Sequence, residues 1–439
     1  MLDIKFIREN KEQVQKNCEN RGAKCDIGRL LILDEMRKES LLQIEELNAL
    51  KNDINALVQE AKSEEERKEV IEKGKEIKSK LEKAEPELAK INEEYKTILY
   101  QVPNVHSEDT PIGPDESGNK VIKKVGEPTR FDFQPKDHIQ LGEDLGIIDT
   151  ERAAKISGSR FNYLKGELAI LEFALVQYCF SVLTDEKLLE EIIKNNNLDV
   201  TLKSFIPVVP PVLIKKDALE KMARLEPREE RYYIPSDDLY LIGSAEHSVG
   251  SIHLDEILDE RELPVRYIGF ASSFRREAGS YGKDTKGILR VHQFDKLEMV
   301  SFSTPEKGPD EQNFIVAVQE YLIGSLGLPY QVVAICTGDM GGPDYRQIDI
   351  EVWLPGQNKY RETNTSDYNT DYQARRLNTK VRRADGKREF VHMNDATAFA
   401  IGRILIAILE NYQQADGSVK IPEVLQKYMP GGIKIIKKK

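Results

Sequence analysis

Between Arg29 and Tyr100 the chain contains one glycine, Gly74, and one proline, Pro86, and its apolar residues recur at intervals of three and four. Over the second half of this stretch Val70, Gly74, Ile77, Leu81, Ala84, Leu88, Ile91, Tyr95 and Ile98 follow alternating steps of four and three. That spacing is the seam of a coiled coil, because a 3.5-residue period keeps one helix face turned towards a partner. Over the first half Leu47, Leu50, Ile54, Leu57 and Ala61 keep the same rhythm. Between the halves lies KSEEERKE (62–69), without an apolar residue and suited to an exposed tip. The pattern predicts an antiparallel helical hairpin projecting on the order of 50 Å at 1.5 Å per residue. Pro86 removes a backbone donor and is expected to bend the returning helix.

Such a hairpin can be a dimerisation coiled coil or a lever that reaches a large substrate. Lys73, Lys75, Lys78, Lys80 and Lys83 alternate with Glu72, Glu76 and Glu82 on the returning helix. A solvated face accounts for that mixture as well as a phosphate-binding surface does.

Beyond the hairpin, residues 104–130 read as a linker, rich in Pro, Gly, Asp and Ser. The division expected is therefore an N-terminal domain over 1–103, the linker, and a second domain over 131–439. In the second domain, strand-like runs alternate with helices. Phe205–Ile214 (FIPVVPPVLI) reads as a strand stopped by Pro210 and Pro211, and Leu168–Leu183 as a buried helix. Gln347–Leu354 alternates like a half-buried antiparallel strand. Asp395–Tyr412 reads as a core helix and Ile433–Lys439 as a frayed basic tail.

Of the 439 residues, 40% are hydrophobic and 32% charged, which excludes a disordered chain. Lys and Arg total 64 against 75 Asp and Glu. That acidic balance argues against a DNA-coating protein but permits a local nucleic-acid site. Four cysteines, none in a CxxC pair, give neither a disulfide scaffold nor a structural zinc site. The start, MLDIKFIREN, is charged too early for a secretory signal, and the apolar run Ile401–Leu409 is too short to span a bilayer. A soluble cytoplasmic protein without membrane or DNA partners is expected. His106, His138 and His253 have no metal-like companions and are expected as surface or capping residues.

Chemistry concentrates in Phe274–Glu298, FRREAGSYGKDTKGILRVHQFDKLE. A P-loop would need Gly at the position of Glu277 and Ser or Thr at that of Asp284, so GKD is not one. A two-stranded hairpin is the better reading, with Arg275 and Arg290 on its legs and Phe294 offering a flat ring. Guanidiniums match phosphate oxygens in a bidentate way, and base–aromatic stacking is worth about 1–3 kcal/mol, so this combination suits a nucleoside triphosphate. A surface hairpin laced with ion pairs is the plainer alternative.

The same stretch resembles motif 2 of class II aminoacyl-tRNA synthetases, in the form found in seryl-tRNA synthetases. Collinear similarity extends over SGSRFNYLKGELAILE (157–172) and VVPPVLI as motif 1, GDMG (338–341), EVWLPGQ (351–357), YRE (360–362) and DYQARRLN (371–378). AFAIGRILIAILENYQ (398–413) corresponds to motif 3. The resemblance implies an α+β fold, in which a six-stranded antiparallel sheet is flanked by helices and joined to the helical hairpin as a tRNA-binding arm. It implies two steps, activation of L-serine by ATP to seryl-adenylate and transfer to tRNA(Ser), with tRNA(Sec) also served, in a homodimer. No protein nucleophile is needed.

Carried over by position, the resemblance gives Arg275, Glu277 and Arg403 catalytic roles. Arg275 holds the α-phosphate, Arg290 and Arg403 the distal phosphates, and Phe294 the adenine; Arg276, Thr363 and Asn364 complete the ATP set. Glu362 and Thr365 would hold Mg2+. Glu298 and Thr397 would bind the serine hydroxyl, with Ser244, Ala245 and Glu246 closing over the amino acid alongside Arg275 and Asp395. Asp395 stands where the family commonly has Asn, and TNTSD (363–367) replaces its usual Ser-rich run. These departures leave two rivals: an adenylating relative with another amino acid or acceptor, and a non-catalytic tRNA-binding paralogue.

Overall fold

The computed structural model describes residues 1–278 and 286–438, and the chain divides into two compact units, Met1–Pro103 and Asn104–Lys439. The N-terminal unit begins with helices Ile4–Glu9 and Lys11–Asn20, then sends out α1 (Ile27–Glu60) and back α2 (Glu64–Gln101). Each arm helix starts on a side-chain cap: Asp26 accepts from the Arg29 amide and Ser63 from the Glu66 amide. Glu64, Glu65 and Glu66 fill the first turn of α2, where the helix dipole favours acids. Leu30, Leu33 and Leu47 of α1 and Leu81, Ile91 and Leu99 of α2 are buried, and Arg29 bridges the pair by two bonds of 2.7 and 2.8 Å to Glu94.

The outward seam differs from expectation, since Leu50 and Leu57 are each 50% exposed. Leu47, Ile54 and Val58 turn inwards instead. Gly74 explains the neighbourhood: a Cβ there would lie 3.3 Å from the Ile54 side chain, so its bare backbone is the surface on which Ile54 packs. The helix α2 continues through Pro86.

The second unit is built on one eight-stranded sheet. In chain order its strands are β1 (Lys120–Val125), β2 (Ile206–Val208), β3 (Val265–Phe274), β4 (Gln293–Ser303), β5 (Tyr330–Ala334), β6 (Arg346–Leu354), β7 (Lys359–Thr370) and β8 (His392–Ala400). Their order across the sheet is β1-β5-β6-β7-β8-β4-β3-β2, antiparallel throughout except for the parallel edge pair β2–β3. The expected six antiparallel strands form the middle, and two short edge strands extend them. One of these, β1, comes from the segment read as a linker. Nearby, Asn104 is buried, and its amide donates to the carbonyls of Pro343 and Asn369.

Three helices, α3 (Glu167–Leu183), α4 (Gly308–Ser325) and α5 (Ile401–Asn411), share a single apolar core with the sheet. The stretch 395–412 was expected as one helix, but it is the end of β8 followed by α5. Strand β8 lies between β7 and β4 with both faces covered, so its apolar run carries no alternation to distinguish it from a helix. Phe205–Ile214 contributes only the three residues of β2 before its prolines end it. The tail is pinned rather than frayed, since Ile435–Ile436 pairs with Val419–Lys420 and Ile436 is fully buried. His138 is also buried, with Nδ1 3.2 Å from the Glu410 carboxylate.

Two irregularities position the site. The β4–β8 register slips at Glu298, leaving Ala398 unmatched, and the β6–β7 register slips beside Glu351, leaving Thr363 unmatched. Bulges of this kind re-aim side chains and free carbonyls from the ladder. Here α4 supplies the missing donors: Gln319 gives its amide to Thr365 O (2.7 Å) and Thr397 O (2.8 Å), while Gln312 bonds Arg346 O and Ser366 O. The opposite face is thereby left to the side chains of the site.

Candidate active site

The long hairpin is present. Its strands β3 and β4 pair from Val265–Phe302 to Phe274–Gln293, and beyond them the Arg275 amide donates to His292 O at 3.0 Å. The part of the turn from 279 to 285 lies outside the described residues. Period-2 alternation along β4 places Phe294, Lys296 and Glu298 on one face.

Arg275, Arg290 and Arg403 come together around one cavity of about 150 Å3, which Phe294, Thr363 and Thr365 also line. The Arg275 guanidinium carbon is 5.4 Å from the Phe294 ring centroid, and its Nε donates to Gly243 O at 3.0 Å. Arg290 lies 3.4 Å from Glu277, whose φ of 52° is a left-handed conformation costing a non-glycine residue about 1–2 kcal/mol. Arg403, from the first turn of α5, meets the Glu362 carboxylate at 3.1 Å. Partial burial works to raise the Glu362 carboxyl, but the charge and hydrogen bond of Arg403 hold it below the ordinary range.

A second cavity, of about 380 Å3, shares the three arginines and reaches Glu298, Glu246 and Asp395. Glu298 is buried, and Oε1 accepts from Ser244 Oγ at 3.0 Å and Thr397 Oγ1 at 3.3 Å while also pairing with Lys296. These donors form a cup whose anion has fixed position. Ala245 is fully buried at the start of the short helix Glu246–Val249. Burial would push the Glu246 carboxyl up, but Arg224, 2.6 Å away, brings it down to about 2. Asp395 goes the other way: burial, then Glu246, Asp344 and Glu298, raise it well above the carboxylate range despite Arg224.

Residues 231–412 match the tRNA synthetase class II core domain (G, H, P, S and T), and residues 1–106 match the seryl-tRNA synthetase N-terminal domain. The serine–tRNA ligase of Thermodesulfovibrio yellowstonii is 41% identical over 100% of both chains, and that of Treponema denticola 39% identical over 98% of each. The chain belongs to the seryl-tRNA synthetase family. It is accordingly a ligase that joins serine to tRNA. Among solved structures, seryl-tRNA synthetase from Pyrococcus horikoshii complexed with ATP aligns at a TM-score of 0.86, with 37% identity over 100% of both chains. The cytoplasmic serine–tRNA ligase from Naegleria fowleri in complex with AMP aligns at 0.81, with 31% identity over 100% of this chain and 99% of that one.

Within this seryl-tRNA synthetase frame, two residues expected in the ATP set also contact protein groups. Arg276 is exposed, with its guanidinium carbon 5.2 Å from the Tyr232 ring centroid. Asn364 is fully buried and donates to Thr397 O (3.1 Å) and Ala398 O (2.7 Å), bracketing the bulge. Thr363 bonds Ile350 O and the Asn364 amide oxygen.

Sequence reasoning missed Lys296, Asp349, Arg224 and Asp367. Lys296 was findable, two residues from Phe294 and two from Glu298 on the same strand face. Asp349 had no local signal; burial and the neighbouring Glu362 drive its carboxyl well above the ordinary range, opposed by bonds from Thr365 and Gln347. Glu172 and Asp295 line one cavity with Phe294, and burial first, then Asp295, push Glu172 up to about 8. Among the described residues, no helix alone is long and apolar enough to cross a membrane.

Proposed function

We propose that ATP occupies the cavity between Arg275, Arg290 and Arg403, with adenine against Phe294, and that L-serine sits next to it over Glu298. The convergence of three guanidiniums from separate elements on one cavity carries this reading. In the first step the serine carboxylate attacks the α-phosphate and pyrophosphate leaves, so negative charge builds on phosphoryl oxygens. Fixed guanidinium donors stabilise that charge with little reorganisation. In the second step a hydroxyl of the terminal adenosine of tRNA attacks the seryl carbonyl and AMP leaves. Glu298 accepts the serine hydroxyl. An amino acid without the hydroxyl strands a buried carboxylate, which makes its rejection strong.

Glu362, Thr365 and Asp349 offer two carboxylates and a hydroxyl, an oxygen-only set that fits a hard cation such as Mg2+. No cluster of three or more His, Cys, Asp or Glu poised for a metal occurs among the described residues, so a cation there would draw its remaining ligands from phosphate and water. When bound, Mg2+ would neutralise phosphate charge.

The arm α1–α2 is the tRNA-binding element. Its lysines are held by neighbours one turn away, Lys75 by Glu72 at 3.0 Å and Lys78 by Glu82 at 3.8 Å. Exposed pairs of this kind are worth about 0–1 kcal/mol, so exchanging glutamate for phosphate costs little. We further place the protein in the cytoplasm as a homodimer that charges tRNA(Ser), and tRNA(Sec) where present. The test is exchange of labelled pyrophosphate into ATP with serine, threonine or alanine, followed by identification of the acylated tRNA. Serine-dependent exchange well above the other two is expected, and equal rates would overturn serine selectivity.

A further inference from the structure

The two departures from the family pattern, Asp395 and the segment ending at Asp367, meet at one side chain. Arg224 follows the helix Lys216–Lys221, and the intervening Ala223 has a φ of 58° that turns the chain sharply inwards. Its Nε donates to Glu246 Oε1 at 2.6 Å, and its Nη2 lies 3.6 Å from Asp395, 3.7 Å from Asp367 and 3.8 Å from Asp344. All four carboxylate side chains are at most 10% exposed, and Arg224 is 17% exposed. Room for the pair with Asp344 is provided by Gly341, where a Cβ would fall 2.5 Å from the Asp344 carboxylate and 3.3 Å from Arg224.

We infer that Arg224 is a positioning residue of the amino-acid pocket: it fixes Glu246 and gathers Asp344, Asp367 and Asp395 around the same guanidinium. The inference rests on the proposed placement of the amino acid over Glu298. Glu246 and Asp395 line the same cavity as Glu298, and each is in electrostatic contact with the other. Without the guanidinium the buried Glu246 carboxylate loses the 2.6 Å bond that fixes it, and the anion that faces the incoming ammonium is no longer held in place. Lysine retains the charge but cannot reach one carboxylate through Nε and three through a second nitrogen, so it is not an equivalent replacement.

The test uses the full-length enzyme and pyrophosphate exchange, measured first with the amino acid that the wild type activates best. If that amino acid is not serine, the serine assignment fails and the Arg224 experiment proceeds with the amino acid found. In Arg224→Gln, kcat/KM for the amino acid is expected to fall on the order of 30-fold or more, mostly through KM, with KM for ATP within about threefold of wild type. Asp344→Asn, which removes an acid 3.8 Å from the guanidinium at a residue outside the cavity lining, is expected to recover on the order of tenfold in the Arg224→Gln background. Arg224→Lys, read beside them, should lie between wild type and Arg224→Gln, and it carries the test if Arg224→Gln does not fold. Amino-acid and ATP parameters that move together, a change below threefold, or no recovery by Asp344→Asn would overturn the inference.

Discussion

Arg403 meets Glu362 twice, pairing with its carboxylate at 3.1 Å and donating to its main-chain carbonyl at 2.8 Å. The first turn of α5 is thus tied to the strand that carries the proposed cation ligands. Arg403→Ala should lower serine-dependent pyrophosphate exchange by about 10²–10³-fold, as expected when a fixed donor to a charged transition state is lost. Arg403→Lys should recover little, because the forked geometry goes with the guanidinium. A loss below tenfold would remove Arg403 from the phosphate site.

Glu298 has its own signature. Glu298→Ala should reduce kcat/KM for serine on the order of 10²-fold or more while leaving the weak activity with alanine nearly unchanged. The ratio of the two, measured by exchange, reports hydroxyl recognition separately from general damage. A preserved ratio would place the hydroxyl elsewhere.

Stability of the second unit leans on a pair remote from the chemistry. Arg266 is buried between Phe205 and Phe314 and forms bonds of 2.8 and 2.6 Å with Glu311. Glu311→Ala leaves the guanidinium uncompensated and should cost about 3–5 kcal/mol, read as a shift in the denaturation midpoint. Replacing both partners with apolar residues, Arg266→Met with Glu311→Leu, should cost much less.

The pH dependence follows from Glu172. Its folded carboxyl holds its proton to about 8, whereas the unfolded chain releases it near the ordinary value of about 4.3. Between those values the native state binds more protons, so stability falls as pH rises across the window. Glu172→Gln should flatten the decline in melting temperature between pH 5 and 8, and an unchanged slope would contradict the assignment.

On the arm, Lys73→Glu, Lys75→Glu and Lys78→Glu together should leave serine-dependent exchange intact and weaken tRNA charging. The salt dependence of tRNA binding should become shallower by up to about 0.9 per lost phosphate contact. Equal charging by wild type and variant would favour a purely structural coiled coil.

Which features were legible in the sequence follows from how local they are. The hairpin of β3 and β4 announces Arg275, Arg290, Phe294 and Glu298 within one contiguous stretch, because neighbouring strands pair residue by residue. The arm shows its period because each seam position is a helical turn from the next. Arg224 and Asp395 are 171 positions apart, and no local pattern signals that they meet. Leu50 and Leu57 fit the seven-residue rhythm but lie outside the contact, since Gly74 and Ile54 decide which face is inward. Residues 395–400 read as helix because burial on both sides erases alternation.

Gln319 has a wider implication. It sits in the apolar layer, where leucine would fill the space at least as well, yet its amide holds Thr365 and Thr397 at a set separation through their carbonyls. Ordinary core-improving substitutions are therefore closed to it: a tighter interior would be obtained by releasing the spacing between phosphate and hydroxyl recognition. The helix behind the sheet acts as a template for a reaction it never touches.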